Sequence, residues 1–174
     1  MSDITYISLE EKFCYLSLVT DAYSRKITGY CLYPTLKKEG TLQALQQALG
    51  SLQIKPGQPL IHHSDRGLQY CCTKYIDLLQ SSKISISMTE KGDPYENAIA
   101  ERVNGILKEE FGLDGEFKNF EQALAAVDYA VSTYNNLRPH ASCNYLTPQA
   151  AHQLTGVIPK RWKPKKTKEV FMPA

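Results

Sequence analysis

Residues 13–33 decide the fold class, and they read FCYLSLVTDAYSRKITGYCLY. Two runs rich in β-branched and aromatic residues, 13–19 and 26–33, flank the turn formers Asp21 and Ser24. This pattern indicates two strands joined by a turn. The run ITYI at 4–7 has the same character. We therefore expect three successive strands in an antiparallel meander.

Apolar residues downstream of the meander change to helical spacing. Leu42, Leu45, Leu49 and Leu52 recur at intervals of three and four, which predicts a helix over about 41–52. Short strands are then expected at 60–63 and 84–88, with helices at 73–79, 97–111, 119–138 and 147–154. Strands separated by helices pair in parallel. We predict an α/β fold with a central five-stranded mixed sheet, three strands antiparallel and two parallel, flanked by helices.

Composition limits the class of protein. With 174 residues and 43% hydrophobic content, the chain suits one domain with a real core. Five cysteines without CxxC spacing indicate neither a disulfide framework nor a zinc site, which favours a reducing, intracellular location. No apolar run reaches the roughly 18 residues of a membrane span, and no signal peptide is recognisable. We expect no membrane partner.

Charge is distributed unevenly along the chain. The net charge is +2, but six of the 20 lysines and arginines lie between residues 160 and 168. Prolines and lysines dominate this stretch, which has few apolar residues to bury. We predict a folded core at 1–158 and an extended or mobile basic tail at 159–174.

Three acidic residues are candidates for metal-assisted chemistry. Asp65 directly follows the predicted strand 60–63, and α/β sheets commonly bind ligands at the carboxyl ends of their strands. An Asp before a Gly also often marks only a turn, and that reading of Asp65 alone is favoured about two to one. Glu101 in the middle of a helix is by itself ordinary surface, and Asp3 alone is uninformative. Together, one acid on a first strand, one at a strand end and one on a helix would supply the hard oxygen ligands that two divalent ions need.

The motifs around these acids resemble a known family. SDITYI at 2–7, VTDAYSR at 19–25, HHSDRGLQY at 62–70, GDPYENAIAE at 92–101 and YNNLRPH at 134–140 look, in this order, like the integrase core of bacterial insertion-sequence transposases of the IS3 type. Asp65 and Glu101 are separated by 35 residues, the interval of the DD35E signature that these transposases share with retroviral integrases. The resemblance covers about 3–150.

The resemblance implies an RNase H-like fold and a set of catalytic residues. Asp3, Asp65 and Glu101 match the three acids that bind two Mg²⁺ or Mn²⁺ ions, and Asp21 matches a turn position outside that set. His63 is expected at most to contact a metal ligand without binding the metal itself, and His62 is expected to have a structural role. Mg²⁺ prefers oxygen, and strand alternation puts the two histidines on opposite faces.

DNA is the implied partner. The resemblance and the need to neutralise phosphates point to seven candidate contacts. They are Arg66, Lys91, Tyr95, Asn97, Arg102, Lys108 and Arg138. For any single basic residue, a solvated surface charge remains the more common role. DNA contact by the lysine-rich tail is about as plausible as a role in solubility.

The implied reaction is cleavage of transposon-end phosphodiester bonds, then transfer of the 3′-hydroxyl into target DNA. One phosphodiester replaces another, so no nucleotide cofactor is needed. Joining two ends implies double-stranded DNA as substrate and a homo-oligomer, in the cytoplasm and associated with the nucleoid.

Two alternatives remain open. One is an RNase H-like or resolvase-like nuclease, and the other is a catalytically impaired remnant that binds DNA or protein. Relatives carry a helix-turn-helix region before this core, whereas two residues precede Asp3 here. We therefore expect an excised catalytic domain or a truncated product.

Overall fold

The computed structural model describes residues 1–52, 59–89 and 97–159. Three strands form the predicted antiparallel meander: β1 (Ser2–Leu9), β2 (Phe13–Thr20) and β3 (Ile27–Tyr33). A two-residue strand that the sequence pattern did not indicate, β6 (Glu116–Phe117), pairs in parallel with the end of β1. The main sheet is thus a mixed sheet of four strands in the order β3-β2-β1-β6.

The second half of the strand prediction is only partly correct. β4 (Ile61–Ser64) and β5 (Ser85–Met88) pair in parallel, as expected for strands joined through a helix. They form a separate two-stranded sheet instead of extending the meander. The expectation of one central five-stranded sheet is therefore wrong.

The backbone of β1 shows why β4 does not join the main sheet. Antiparallel alternation points the N–H and C=O groups of Ser2 and Ile4 away from β2 and toward β4. Asn97 Nδ2 donates to the Ser2 carbonyl at 3.2 Å. A side chain thus occupies the Ser2 carbonyl, which a sheet ladder would use. β4 instead contacts β1 through the Ser2 hydroxyl, 2.8 Å from His62 Nε2.

Helices cover both faces of the main sheet. α1 (Lys38–Gly50) packs on β2 and β3, while α3 (Ala98–Phe111) and α4 (Phe120–Asn136) pack on the opposite face. α2 (Thr73–Ser81) connects β4 to β5, and a 3-10 helix (Ala141–Cys143) and α5 (Pro148–His152) follow α4. The predicted order of helices is confirmed, with each boundary shifted by a few residues. No helix in the described stretches is long and apolar enough to cross a bilayer.

Two apolar cores stabilise this arrangement. The larger lies between the meander, α3 and α4, and the smaller lies between α1, α2 and the β4–β5 pair. The smaller core consists of Leu45, Tyr70, Tyr75, Leu79 and Ile84, with Ile4 of β1 packed against it. This core includes Tyr70, five residues after Asp65, and it contacts Ile4, the residue after Asp3.

The turn between β2 and β3 is held by Asp21. Its carboxylate accepts hydrogen bonds from the backbone N–H groups of Tyr23 and Ser24, and it lies 3.0 Å from Nδ1 of His152 in α5. Asp21 therefore joins the turn to the C-terminal helix, the structural place that its match to a turn position implied.

Candidate active site

Three separate segments carry the predicted acids. Asp3 lies in β1, Asp65 follows the last residue of β4, and Glu101 lies in the first turn of α3. Asp3 is partly buried, whereas Asp65 and Glu101 are exposed. The acids therefore come from the start of β1, the end of β4 and the start of α3, with Asp3 partly covered and the other two at the surface.

The surroundings of Asp3 show that the acids influence one another. Burial raises the pKa of Asp3, hydrogen bonds from Asn104 and from the Ile4 N–H oppose this rise, and the negative charges of Asp65 and Glu101 raise the pKa further. Asn104 Nδ2 lies 2.7 Å from Asp3 Oδ2. Asp65 and Glu101 are thus near enough for repulsion, and a cation placed among the three carboxylates would relieve it.

The loop after β4 fixes Asp65. The backbone N–H of Gly67 donates to Asp65 Oδ1 at 2.9 Å. A Cβ at position 67 would lie 3.0 Å from that oxygen and 3.2 Å from the Gln69 side-chain oxygen, so glycine permits the close approach. The Asp-x-Gly sequence therefore forms a turn and presents a carboxylate at the strand end, and the two readings of Asp65 are compatible.

The carboxylates of Asp3, Asp65 and Glu101 do not form a ready-made metal-binding group in the described part of the chain. Across 1–52, 59–89 and 97–159, no three His, Cys, Asp or Glu side chains are arranged tightly enough to hold a metal ion. The donor set nevertheless suits a hard divalent cation, because it offers carboxylate oxygens from three segments with unbalanced negative charge. Binding would require the carboxylates to approach one another.

The two histidines before Asp65 point to different surroundings, as alternation predicts. His63 Nδ1 lies 2.9 Å from the Ser87 hydroxyl on β5. His62 is buried, and its Nε2 lies 2.8 Å from Ser2 Oγ and 3.0 Å from the Tyr75 hydroxyl. His62 therefore bridges β1, β4 and α2.

We expect the buried imidazole of His62 to make the fold acid-sensitive. Burial, chiefly, lowers the pKa of His62 from 6.5 to about 3. As pH falls below about 6.5, the unfolded chain takes up a proton that the folded chain does not, so stability is lost at up to about 1.4 kcal/mol per pH unit. Denaturant unfolding between pH 7 and pH 4 measures this slope. His62→Gln, which keeps an acceptor near the Nε2 position, is the non-titrating control and should show a shallower slope; equal slopes would contradict the assignment.

Three of the seven DNA-contact candidates have side chains that make hydrogen bonds to other groups of the chain. Asn97 is 5% exposed, and its amide is bound to the Ser2 carbonyl. Arg138 Nε and Nη2 each donate to the Glu110 carboxylate at 2.6 Å. Arg66 Nε donates to the Thr89 carbonyl at 2.7 Å. Each of these side chains has a structural contact that DNA would have to share or replace.

Two further candidates lie on the outer side of α3. The Lys108 ammonium lies 3.9 Å from the centre of the Tyr6 ring, and Arg102 is 3.9 Å from Glu109 in a largely exposed ion pair. Lys91, Tyr95 and the lysine-rich tail beyond residue 159 lie outside the described residues. Lys108, seven residues after Glu101, lies on the same face of α3 as that acid, whereas Arg102 is turned about 100° away from it.

Sequence reasoning missed Asn104 and Tyr70. Asn104 stands three residues after Glu101, so helical spacing alone would have placed it beside the acids. The structure buries it together with Ala100, Val103, Ile106 and Leu107. Tyr70 lies within the quoted motif 62–70 but carries no local signal of its side chain's position.

Comparisons with known proteins agree with this architecture. Two family models, each described as an integrase core domain, match residues 1–94 and 82–148. The chain is 36% identical over 151 residues to the insertion element IS600 uncharacterized 31 kDa protein of Shigella sonnei. It is 35% identical over 148 residues to transposase InsF for insertion sequence IS3A of Escherichia coli K12. It is 32% identical over 152 residues to a putative transposase for IS986/IS6110 of Mycobacterium tuberculosis H37Rv.

These alignments cover 86%, 84% and 85% of the chain but 55%, 51% and 55% of the three relatives. The chain therefore spans about half the length of these curated relatives.

Solved structures share the fold. The HTLV-2 integrase catalytic core domain in complex with magnesium superposes with a TM-score of 0.66 at 22% identity, over 87% of this chain and 93% of that one. A chain of the simian T-cell lymphotropic virus intasome gives 0.72 at 22% identity, over 97% and 59%. The first family model alone matches more than half of the sequence, so this chain belongs to the integrase core domain family. The RNase H-like fold and the resemblance to IS3-type transposases are confirmed.

Proposed function

We propose that the chain is the catalytic domain of a DNA transposase, which cuts phosphodiester bonds at the ends of a mobile element and transfers the 3′-hydroxyl ends into target DNA. Membership of the integrase core family and similarity to transposases such as InsF support this activity. The observation that carries the proposal is the convergence of Asp3, Asp65 and Glu101 from β1, β4 and α3, with the two outer charges raising the pKa of the inner acid.

Divalent metal dependence follows from the donor set. Asp3 and Asp65 would hold one Mg²⁺ or Mn²⁺, and Glu101 with one of these aspartates would hold a second. Bound ions of this kind activate the attacking oxygen and stabilise the leaving oxygen of a phosphodiester. The magnesium in the HTLV-2 core of the same fold supports this proposal.

The chain's own side chains provide positioning. Asn104 Nδ2 donates to Asp3 Oδ2, and the Gly67 N–H donates to Asp65 Oδ1, so hydrogen bonds orient both aspartates. Glu101 sits on the first turn of a helix whose inner face is packed in the larger core.

Double-stranded DNA is the proposed substrate and a homo-oligomer the proposed assembly. Lys108 and Arg102 follow Glu101 on α3, where they would neutralise phosphates of bound DNA. Lys91 and Tyr95 remain proposed contacts, as does the basic tail 159–174 that follows the core 1–158. The solved intasome of similar fold supports assembly around DNA ends. The proposed location is the bacterial cytoplasm, on the nucleoid.

An assay with labelled oligonucleotide duplexes tests this function. The duplexes carry the terminal repeats that flank the gene, and the chain is supplied with Mg²⁺, Mn²⁺ or EDTA. We expect nicked ends and longer strand-transfer products with either metal and neither with EDTA. Cleavage of an RNA–DNA hybrid or a four-way junction in preference to these duplexes would favour a nuclease of the same fold. Binding of DNA without metal-dependent cleavage would indicate the impaired remnant.

A further inference from the structure

Tyr70 has a buried hydroxyl group without a hydrogen-bond partner. Its side chain is 2% exposed, and within the described residues its Oη meets no donor or acceptor. Buried tyrosine hydroxyls are usually hydrogen-bonded, because an unpaired buried polar group costs stability. The Tyr70 hydroxyl is therefore, among the residues described, a free donor that a nearby acceptor could use.

The Tyr70 ring packs against two other rings, and its backbone makes a hydrogen bond within the loop. It meets Tyr75 edge-on with centroids 5.4 Å apart, and it lies 6.4 Å from the His62 ring. The backbone N–H of Tyr70 donates to the Gly67 carbonyl at 2.9 Å, which folds the loop back under Asp65. The ring thus has a fixed position between the smaller core and the acid-bearing loop.

The neighbouring tyrosine shows that the core does not need the Tyr70 hydroxyl. Tyr75 is also buried, but its hydroxyl lies 3.0 Å from His62 Nε2, the same nitrogen that Ser2 Oγ approaches at 2.8 Å. That network is complete at Nε2 without Tyr70. Two buried tyrosines in contact therefore differ in one respect, since one hydroxyl is paired and the other is not.

The Tyr70 ring lies close to Asp65, because a Cβ at position 67 would meet both Asp65 Oδ1, at 3.0 Å, and Tyr70 Cδ2, at 3.5 Å. Burial raises the pKa of Tyr70 well above its usual value, and the negative charges of Tyr75 in its ionised form, Asp3 and Asp65 raise it further. The phenol consequently remains a neutral O–H group beside two carboxylates. A neutral donor next to carboxylates is suited to donate to one of them.

We infer that Tyr70 is a positioning residue for the acidic cluster, and that its hydroxyl donates a hydrogen bond to the Asp3 carboxylate when the acids close around divalent ions. This inference rests on the proposed function. Over the stretches that the structure describes, the Tyr70 hydroxyl is unpartnered while the acids form no metal-holding group, so it would be available to a carboxylate that moves when ions bind. Hydrogen bonds to metal-ligating groups orient them, and their loss typically weakens metal binding.

Tyr70→Phe and Tyr75→Phe form a matched pair for the test, since each removes a single hydroxyl and keeps the ring. Calorimetric titration with Mn²⁺ measures metal affinity, and thermal unfolding in EDTA measures the metal-free fold. We expect Tyr70→Phe to weaken Mn²⁺ binding about 10- to 100-fold with an unchanged or higher Tm. We expect Tyr75→Phe to lower the Tm, because it breaks the bond to His62, and to change Mn²⁺ affinity by no more than about twofold.

Three outcomes would overturn the inference. The first is wild-type Mn²⁺ affinity in Tyr70→Phe, and the second is a fall in its Tm equal to that of Tyr75→Phe, which would make the hydroxyl a structural partner. The third is an equal loss of Mn²⁺ affinity in both variants, which would trace the effect to the aromatic core. If the unaltered chain binds no Mn²⁺, the proposed function fails and the inference falls with it. A metal-binding, active wild type beside an unaffected Tyr70→Phe overturns the inference alone.

Discussion

Replacing Glu101 by glutamine is expected to reduce metal-dependent strand transfer about 10³-fold or more while leaving the fold intact. The substitution removes one of three carboxylates proposed to hold the ions, and the loss corresponds to about 4 kcal/mol of transition-state stabilisation. Glu101 is exposed, so the uncharged side chain leaves no buried gap. Product formation from labelled duplexes, with circular dichroism as the check on folding, measures the effect.

Glu109→Gln is the matched control for this variant. Glu109 lies on the same helix, is exposed, and makes a 3.9 Å ion pair with Arg102 at the surface. Such exposed pairs contribute little, about 0–1 kcal/mol, so activity should stay within a few-fold of wild type. If Glu101→Gln retained strand transfer at the level of Glu109→Gln, Glu101 would not belong to the catalytic set.

Gly29→Ala is expected to be the most damaging small substitution in the fold. A Cβ at position 29 would lie 2.1 Å from the Ala44 carbonyl oxygen and 2.8 Å from the Ala48 backbone nitrogen. Those atoms belong to the backbone of α1, so no side-chain rotation relieves the clash, and the helix must move off β3. We expect a loss of about 3 kcal/mol or more in the free energy of unfolding. Urea denaturation followed by fluorescence or circular dichroism gives the value.

Gly50→Ala tests whether the effect at position 29 comes from the close helix–strand contact. Gly50 is the last residue of α1, and a Cβ there would meet nothing within 4 Å. Alanine has the higher helix propensity, so this variant should be neutral or more stable by up to about 1 kcal/mol. Near-equal stability of the two variants would show that α1 does not pack on Gly29 as described.

Local sequence patterns predicted the elements of this fold well because they depend on neighbours along the chain. Alternating and helical spacing of apolar residues placed β1 to β5 and the helices within a few residues. The two-residue strand at Glu116 and Phe117 is too short for any periodicity, and it exists only because the end of β1 offers it backbone partners. Its absence from the prediction reflects a tertiary contact.

The failure of the five-stranded sheet has a similar cause. Whether β4 pairs with β1 depends on which groups bind the edge of β1 that faces away from β2. Asn97, 95 positions away from Ser2 in the sequence, is hydrogen-bonded to the Ser2 carbonyl on that edge. The sequence motif suggested that Asn97 contacts DNA, but nothing local indicates that its amide would be buried against a strand. The contact of a side chain with a distant backbone carbonyl is not encoded in spacing.

Sequence motifs proposed the acids of the candidate site, whereas they did not indicate the side chains that lie beside these acids. Asp65 and Glu101 were found through their 35-residue interval and motif context, which need no coordinates. Asn104 lies next to them by helical geometry and was overlooked, whereas the position of Tyr70 depends on how the loop 65–72 folds back on Gly67. A position such as that of Tyr70, which depends on the fold of a loop, can be seen only in the three-dimensional structure.

The central claim is that Asp3, Asp65 and Glu101 gather around two divalent ions. The most direct test is X-ray diffraction from crystals of the chain soaked with Mn²⁺, with data collected to reveal anomalous scattering. The account predicts two peaks about 3.5–4 Å apart, with oxygens of all three carboxylates drawn in to ligate them. An absence of Mn²⁺ among the three carboxylates, or ions held by other residues while the acids stay apart, would contradict it.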